Sequence, residues 1–251
     1  MKNKIILVSG ATSGFGEAIT IRLVKNGARV IASGRRLDRL IKLKNKLKSD
    51  KILPLELDVR DQDRVFNTIN SLEKNWSKID VLINNAGLAR GLNSSDKTEI
   101  DHWNEMVDTN CKGLMYVTRA ILPKMTKRNK GQIINIGSVA GTYPYFGGNI
   151  YGASKAFVHQ FSLNLRADLA DKNIRVTSLE PGAAETEFSI VRFDGDKEKA
   201  KKTYNGFDPI ESKNIAEIIE FIIRSPLNIN INRIEVMSNQ QSFAGFNFIK
   251  K

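Results

Sequence analysis

The sequence predicts an α/β domain: a doubly wound parallel sheet of about seven strands with helices on both faces. Three observations carry this. Short, nearly continuous runs of Ile, Val and Leu recur along the chain, as expected of strands buried on both faces. Amphipathic stretches of helical period separate them, which is the alternation of a parallel sheet with crossover helices. No Pro-, Gly- or Ser-rich linker divides the 251 residues, a length that one core can support, so residues 1–251 read as a single domain.

KIILVS (4–9) is the first expected strand, and GEAITIRLVKNG (16–27) the first helix, closed by a glycine suited to a C-cap. ARVIAS (28–33) and KILPLEL (51–57) follow as strands around the helical pattern RLDRLIKLKNKL (36–47). IDVLIN (79–84), GQIINIG (131–137), IRVTSLE (174–180) and INRIEV (231–236) complete the set. Residues 183–210 break the rhythm. Their mixed polarity and weak helical pattern are long for a structureless connection, and a lid over a substrate is the expected use. The tail 238–251 carries Phe243, Phe246 and Phe248, unusual on a free end, so docking on the domain or on a neighbouring subunit is expected.

Composition narrows the function classes. Hydrophobic residues make up 41% and charged residues 26%, and no apolar run approaches the roughly 20 residues of a membrane-spanning helix, so no membrane role is expected. The chain starts almost directly on a strand, leaving no room for a targeting segment, and the single cysteine, Cys111, cannot form an internal disulfide; both suit a cytoplasmic protein. The net charge is +12, and eight basic residues (Arg35, Arg36, Arg39, Lys42, Lys44, Lys46, Lys48, Lys51) stand against Asp38 and Asp50 in one stretch. That stretch reads either as a solvated helix face or as an attractor for an anionic cofactor in the adjacent pocket. Without aromatic interleaving or a recognisable module, nucleic acid is not an expected partner. No metal site is expected.

The first strand runs into SGATSGFGE, with Gly10, Gly14 and Gly16 around Thr12, Ser13 and Phe15. Gly10 permits the tight turn, Gly14 the approach of the backbone to a pyrophosphate, and Gly16 close packing of helix on sheet, while the helix N-terminus offers free amides to phosphates. A glycine triplet alone is a weak signal, but one placed between a strand and a helix in the first βαβ unit predicts a dinucleotide site. At the end of the second strand, ASGRR has Gly34 where a carboxylate would bind ribose hydroxyls, followed by Arg35 and Arg36, which suit a 2′-phosphate. The expected cofactor is therefore NADP. Asp58 and Val59 end the third strand near the expected adenine position. NNAG, with Asn84, Ala86 and Gly87, ends the fourth and allows close approach of the cofactor ribose.

The fifth strand presents Ser138 in INIGS, and Tyr151 follows 13 residues later in YGASK, four residues before Lys155. In isolation, such a Tyr and Lys on one helix face equally suit core packing and snorkelling. With the glycine turn, NNAG and Ser138 in this order, the chain resembles the short-chain dehydrogenase/reductase family over nearly its whole length, and in particular the NADP-dependent 3-hydroxy acid dehydrogenases that act on L-allo-threonine, serine and 3-hydroxypropionate or its semialdehyde. GATSGFGE, GRRLDRL, DTNCKGL, GGNIYGASKAFVHQFSLNLRADL and EPGAAETEFSIVRF carry the likeness. The resemblance implies a Rossmann-type fold and a homotetramer. It makes Tyr151 the general acid/base, with Lys155 supplying the charge that favours the phenolate and bonding the nicotinamide ribose. Ser138 would orient the substrate oxygen and Asn110 prop a proton-relay water against Lys155. Pro181, Gly182 and Thr186 would lie beside the nicotinamide. Ser9 replaces a usual Thr, Phe15 a common Ile (itself usual in the hydroxy-acid subgroup), and Ala184 a frequent Val. Arg192 in SIVRF is the expected partner for a substrate carboxylate, against the alternative of a plain surface arginine. The rival readings are a reductase of a bulkier ketone or aldehyde and a catalytically idle NADPH-binding regulator.

Overall fold

A computed structural model describes residues 1–242; Phe243, Phe246 and Phe248 lie outside the described residues. The chain alternates β1 (Ile5–Ser9), α1 (Gly14–Lys25), β2 (Arg29–Gly34), α2 (Leu37–Leu47), β3 (Ile52–Glu56), α3 (Gln62–Asn70) and β4 (Val81–Asn84). It continues through α4 (Ile100–Val107), α5 (Leu114–Lys127), β5 (Gly131–Ile136), α6 (Asn149–Asp168) and β6 (Ile174–Pro181). The last part holds α7 (Glu187–Arg192), α8 (Lys197–Lys202), α9 (Ser212–Arg224) and β7 (Arg233–Val236). The described residues form a seven-stranded sheet in the order β3-β2-β1-β4-β5-β6-β7, and every adjacent pair is parallel.

The alternation of side chains along each strand divides the core into two apolar layers. Ile6 and Val8 of β1 pack with Ile19 and Leu23 of α1 and with Ile215, Ile219 and Ile222 of α9. Ile5 and Leu7 turn the other way, toward Val65 of α3, Val117 and Ile121 of α5 and Leu165 of α6. Burial on both faces explains why these strands read as unbroken apolar runs. The strand order reverses between β1 and β4, and the crevice beyond the carboxyl ends of these strands is where such sheets bind ligands.

The basic stretch divides into two parts. On α2, Leu40 and Leu43 face the core while Lys42, Lys44 and Lys46 are exposed, a solvated face. Arg36 and Arg39 instead turn toward residues of the crevice rim. The segment 183–210 departs from the expectation of a long, largely irregular stretch, because it folds α7 and α8. Each is short and starts on a side-chain cap: the Thr186 hydroxyl accepts from the Phe188 amide, and the Asp196 carboxylate from the Lys199 amide. The start of the tail lies on this segment. Ser238 Oγ donates to the Asp208 carbonyl, and the Gln241 side-chain carbonyl accepts from the Ala183 amide at 2.8 Å.

Candidate active site

A cleft of about 800 Å³ opens at the carboxyl ends of the strands. Its cofactor end is built from the glycine turn. Gly10 and Gly14 have φ of +68° and +54°, conformations that L side chains rarely adopt. A Cβ on Gly10 would lie 2.9 Å from the Ala86 Cα, and one on Gly16 would collide with the Gly10 carbonyl. The Ser9 hydroxyl accepts from the Asn85 and Ala86 amides at 3.0 Å each, tying β1 to the end of β4. Thr12, Ser13, Gly14, Phe15, Arg35, Arg36, Asp58, Val59, Ala86, Gly87, Pro181, Gly182 and Thr186 all line the cleft.

Gly34 lies against Thr12, whose methyl would be 2.7 Å from an added Cβ. A side chain there would have to displace the Thr12 methyl. Beside it Arg36 Nη2 donates to Thr12 Oγ1 at 2.8 Å and to Ser13 Oγ at 3.0 Å, while Arg35 is exposed. Asp58 is engaged by Arg60, which donates to its carboxylate at 2.6–3.1 Å. Burial opposes ionisation of Asp58, but these hydrogen bonds and the Arg60 charge outweigh it and hold the carboxyl below the usual range.

One expected cofactor residue needs correction. Asn84 is buried away from the cleft, with Nδ2 donating to Thr118 Oγ1 at 2.9 Å and to Asn135 Oδ1 at 2.8 Å. It is the last residue of β4, and strand alternation turns it into the layer between β5 and α5. Its neighbour Asn85 lines the cleft instead and donates to the Ser9 and Gly10 carbonyls, bracing the glycine turn.

The reactive end gathers Ser138, Tyr151 and Lys155. Ser138 follows β5, and its hydroxyl accepts from the Ala140 amide at 3.1 Å and donates to the Pro181 carbonyl at 3.3 Å, so β5 and β6 fix its place. Tyr151 and Lys155, one turn apart on α6, are both buried. Burial pushes the Tyr151 phenol up to about 12; the Arg192 charge and the neighbouring Ser138 hydroxyl pull in the other direction. Burial draws the Lys155 ammonium down to about 8. Lys155 Nζ donates to the Ile136 carbonyl at 2.9 Å and lies 5.8 Å from the centre of the Tyr151 ring. Two cations thus flank the phenol ring: the Arg192 guanidinium lies 5.2 Å from its centre and Lys155 Nζ 5.8 Å.

Asn110 sits on a π-helical turn (Asp108–Gly113) between α4 and α5, a deviation common at functional sites and not signalled by periodicity. Its amide brackets the Leu88 backbone, accepting from the amide and donating to the carbonyl at 2.9 Å each, and also donates to Ser154 Oγ. An added Cβ on Gly87 would lie 3.3 Å from Asn110 Oδ1 and 3.4 Å from Lys155 Nζ, so both groups face the same glycine.

Arg192 is half-buried and its guanidinium lies 5.2 Å from the centres of both the Tyr151 and Phe188 rings. Nη2 donates to the Tyr145 hydroxyl at 3.1 Å, while Nε is buried without a hydrogen-bond partner among the described residues. A free donor beside the reactive phenol suits an anionic ligand group. Arg90, which sequence reasoning passed over, holds this segment: it donates to the Val191 carbonyl at 3.0 Å and pairs with Glu105 and Asp194, while the Gly91 amide donates to the Arg192 carbonyl. Among the described residues no group of His, Cys, Asp and Glu forms a metal site.

A family model described as short chain dehydrogenase matches residues 4–197. The chain belongs to this family. A NADP-dependent 3-hydroxy acid dehydrogenase of Salmonella typhi is 53% identical, over 96% of this chain and 97% of the relative. A serine 3-dehydrogenase of Agrobacterium fabrum is 46% identical over 96% of each. A solved serine dehydrogenase in its closed form, complexed with NADP+, superposes with a TM-score of 0.96 at 49% identity, covering 98% of this chain and 99% of that one. No helix among the described residues is long and apolar enough to cross a membrane.

Proposed function

We propose that this short-chain dehydrogenase transfers a hydride between NADP(H) and a small 3-hydroxy acid or its 3-oxo acid or semialdehyde, in the class of serine, L-allo-threonine and 3-hydroxypropionate. The observation that carries the substrate reading is the unpaired Arg192 donor over the ring of a buried tyrosine. The names of relatives near 50% identity support the same class.

The chain fits the cofactor on its own geometry. The glycine turn has no room for side chains, the end of β2 lacks a carboxylate, and Arg35 and Arg36 stand where a 2′-phosphate would be recognised. NADP, when bound, supplies the acceptor or donor of the hydride. Thr12, Ser13 and the α1 N-terminus hold the phosphates; Gly87, Pro181, Gly182 and Thr186 wall the nicotinamide end; Asp58 and Val59 border the adenine.

Ser138, held by Ala140 and Pro181, orients the substrate oxygen. Tyr151 exchanges a proton with it. With a phenol near 12 the residue is protonated at neutral pH, ready to act as an acid on a carbonyl oxygen, and it needs nearby positive charge to act as a base in the reverse direction. Arg192 provides part of that charge and pairs with the substrate carboxylate. Lys155 holds the cofactor ribose and hands the proton on to a relay water that Asn110 props beside it, the two side chains facing the same glycine, Gly87.

We also assign a homotetramer in the cytoplasm. Exposed Phe221, Leu227 and Ile229 beside the last strand support burial against other copies of the chain. Assays of the purified protein with L-serine, L-allo-threonine and 3-hydroxypropionate, each with NADP and with NAD, test the reading. Inactivity on every hydroxy acid alongside turnover of hydrophobic ketones would overturn it.

A further inference from the structure

Helix α7 is only six residues long, too short to hold its position without tertiary contacts. Its two ends are tied to different parts of the site. At the C-terminal end Arg90 and Gly91 take the Val191 and Arg192 carbonyls. At the N-terminal end Glu187 reaches the cofactor rim: Arg39 Nη1 donates to its two carboxylate oxygens at 2.7 and 2.8 Å, and Arg36 Nη1 at 3.1 Å. Arg36 is at the same time bonded to Thr12 and Ser13 of the glycine turn. The Thr186 side chain lies 3.3 Å from where a Cβ on Gly14 would stand, so this end of the helix rests on the phosphate turn itself. The residue after Glu187, Phe188, packs on Tyr151 with ring centres 5.5 Å apart, and Arg192 covers the same ring.

We propose that Glu187 is a positioning residue that couples the two ligands: its ion pairs with Arg36 and Arg39 hold α7, and with it Phe188 and Arg192, over Tyr151. Because Arg36 is also a ligand for the 2′-phosphate, the cofactor and the substrate clamp share one side chain. This inference rests on the functional reading above for its ligands. Two arginines, Arg36 and Arg39, meet one carboxylate here, which leaves a positive excess for a phosphate while Arg39 retains Glu187. Partial burial opposes ionisation of Glu187, but the hydrogen bonds from Arg39 and Arg36 outweigh it and lower its pKa, so it stays charged throughout a neutral assay. Both partners are about 40% exposed (side-chain exposures of 41% for Arg36, 40% for Arg39 and 38% for Glu187), so the hold is modest and weakens with salt.

The test uses Glu187→Gln, Arg39→Gln and their combination in the full-length protein. Three readouts are taken: NADPH binding by fluorescence, the KM and kcat for the hydroxy acid, and tryptic cutting at the lysines of 197–202 with and without NADP. Each single change is expected to raise the hydroxy-acid KM about fivefold with a smaller change in kcat, as for the loss of one partly exposed ion pair. The double variant should be no worse than either single one, since the two changes remove the same pair. NADP should protect 197–202 from trypsin in the parent protein and protect it less in Glu187→Gln. Additive effects of the two changes would overturn the proposal. So would a Glu187→Gln protein that binds NADPH more tightly with unchanged hydroxy-acid KM and unchanged tryptic protection, because Glu187 would then only compete with the phosphate. If the parent protein turned over no hydroxy acid, the functional reading would fail, and the tryptic comparison, which needs no substrate, would still decide for or against the coupling.

Discussion

Replacing Arg192 by alanine tests the substrate assignment. Among the described residues the guanidinium has one hydrogen bond, to Tyr145, and a buried Nε without a partner, so its removal takes from the fold chiefly its packing on the Tyr145, Tyr151 and Phe188 rings. What it takes from a bound carboxylate is a charge-assisted hydrogen bond or a bidentate pair, worth about 1.5–3 kcal/mol. The expected loss in kcat/KM for 3-hydroxy acids is therefore about 10- to 150-fold. The half-exposed setting favours the lower part of that range. The methyl ester of the same hydroxy acid should lose far less, and Arg192→Lys should recover only part of the loss because an ammonium lacks the planar fork. Steady-state NADPH formation at varied substrate measures all three. A second effect follows from the position over Tyr151: since the Arg192 charge draws the phenol down, its removal should move the rising limb of the oxidation rate, on which the phenol loses its proton, to higher pH. An unchanged KM for the acid, or equal losses for acid and ester, would refute the carboxylate role.

Other perturbations address the remaining assignments. Arg35→Ala with Arg36→Ala should raise the KM for NADP by about 100-fold while leaving that for NAD nearly unchanged, as for the loss of two contacts to a phosphate; an unaltered cofactor preference in paired initial-rate assays would place the recognition elsewhere. Tyr151→Phe should lower kcat by about 10²- to 10⁴-fold and keep NADPH fluorescence binding, and near-normal turnover would remove Tyr151 from the chemistry. Lys155 titrates near 8 in the fold against 10.5 as its ordinary value, so the unfolded chain binds more protons between those pH values and stability rises with pH across that window. Burying the ammonium costs about 3 kcal/mol below pH 8 by that difference. Lys155→Met should thus be more stable than the parent near pH 7, less the lost bond to Ile136, with the gap closing toward pH 10.5. Denaturant titrations of both proteins, without cofactor, from pH 7 to 10.5 would show parallel profiles if burial does not depress this lysine.

The sheet was legible because its inner strands, β1, β2, β4, β5 and β6, are buried on both faces, which leaves an unbroken apolar run as their trace. The glycine turn was legible because φ values at Gly10 and Gly14 and the contact at Gly16 demand glycine, a requirement local to a few residues. Asn84 and Asn85 show where this kind of reading stops. They are adjacent and chemically identical, and only strand alternation at the end of β4 decides which one meets the cleft. The π-turn carrying Asn110 was hidden for a similar reason. One extra residue rotates the helical face only at the junction of α4 and α5, and the close approach there of Gly113 to Val59, whose methyl would lie 2.6 Å from an added Cβ, is a contact with no trace in the local sequence. The roles of Arg90, Arg39 and Glu187 depend on partners 100 to 150 residues away, and a surface-type charge carries no mark of such a partner in its own neighbourhood.

The segment after β6 joins these long-range terms. Within twelve residues, Pro181 accepts from Ser138, Thr186 rests on Gly14, Glu187 bridges to Arg36 and Arg39, and Arg192 covers Tyr151. A change anywhere in this stretch therefore moves the wall of both ligand sites. Its local helix propensity is small, and its position is fixed by ion pairs and carbonyl contacts of modest strength at its two ends. Marginal local stability is what lets such a segment open to exchange products and close again over the next substrate. A strongly helical replacement, more stable by itself, would have less need of the cofactor rim to hold it, and would lose the dependence of the substrate clamp on the phosphate end.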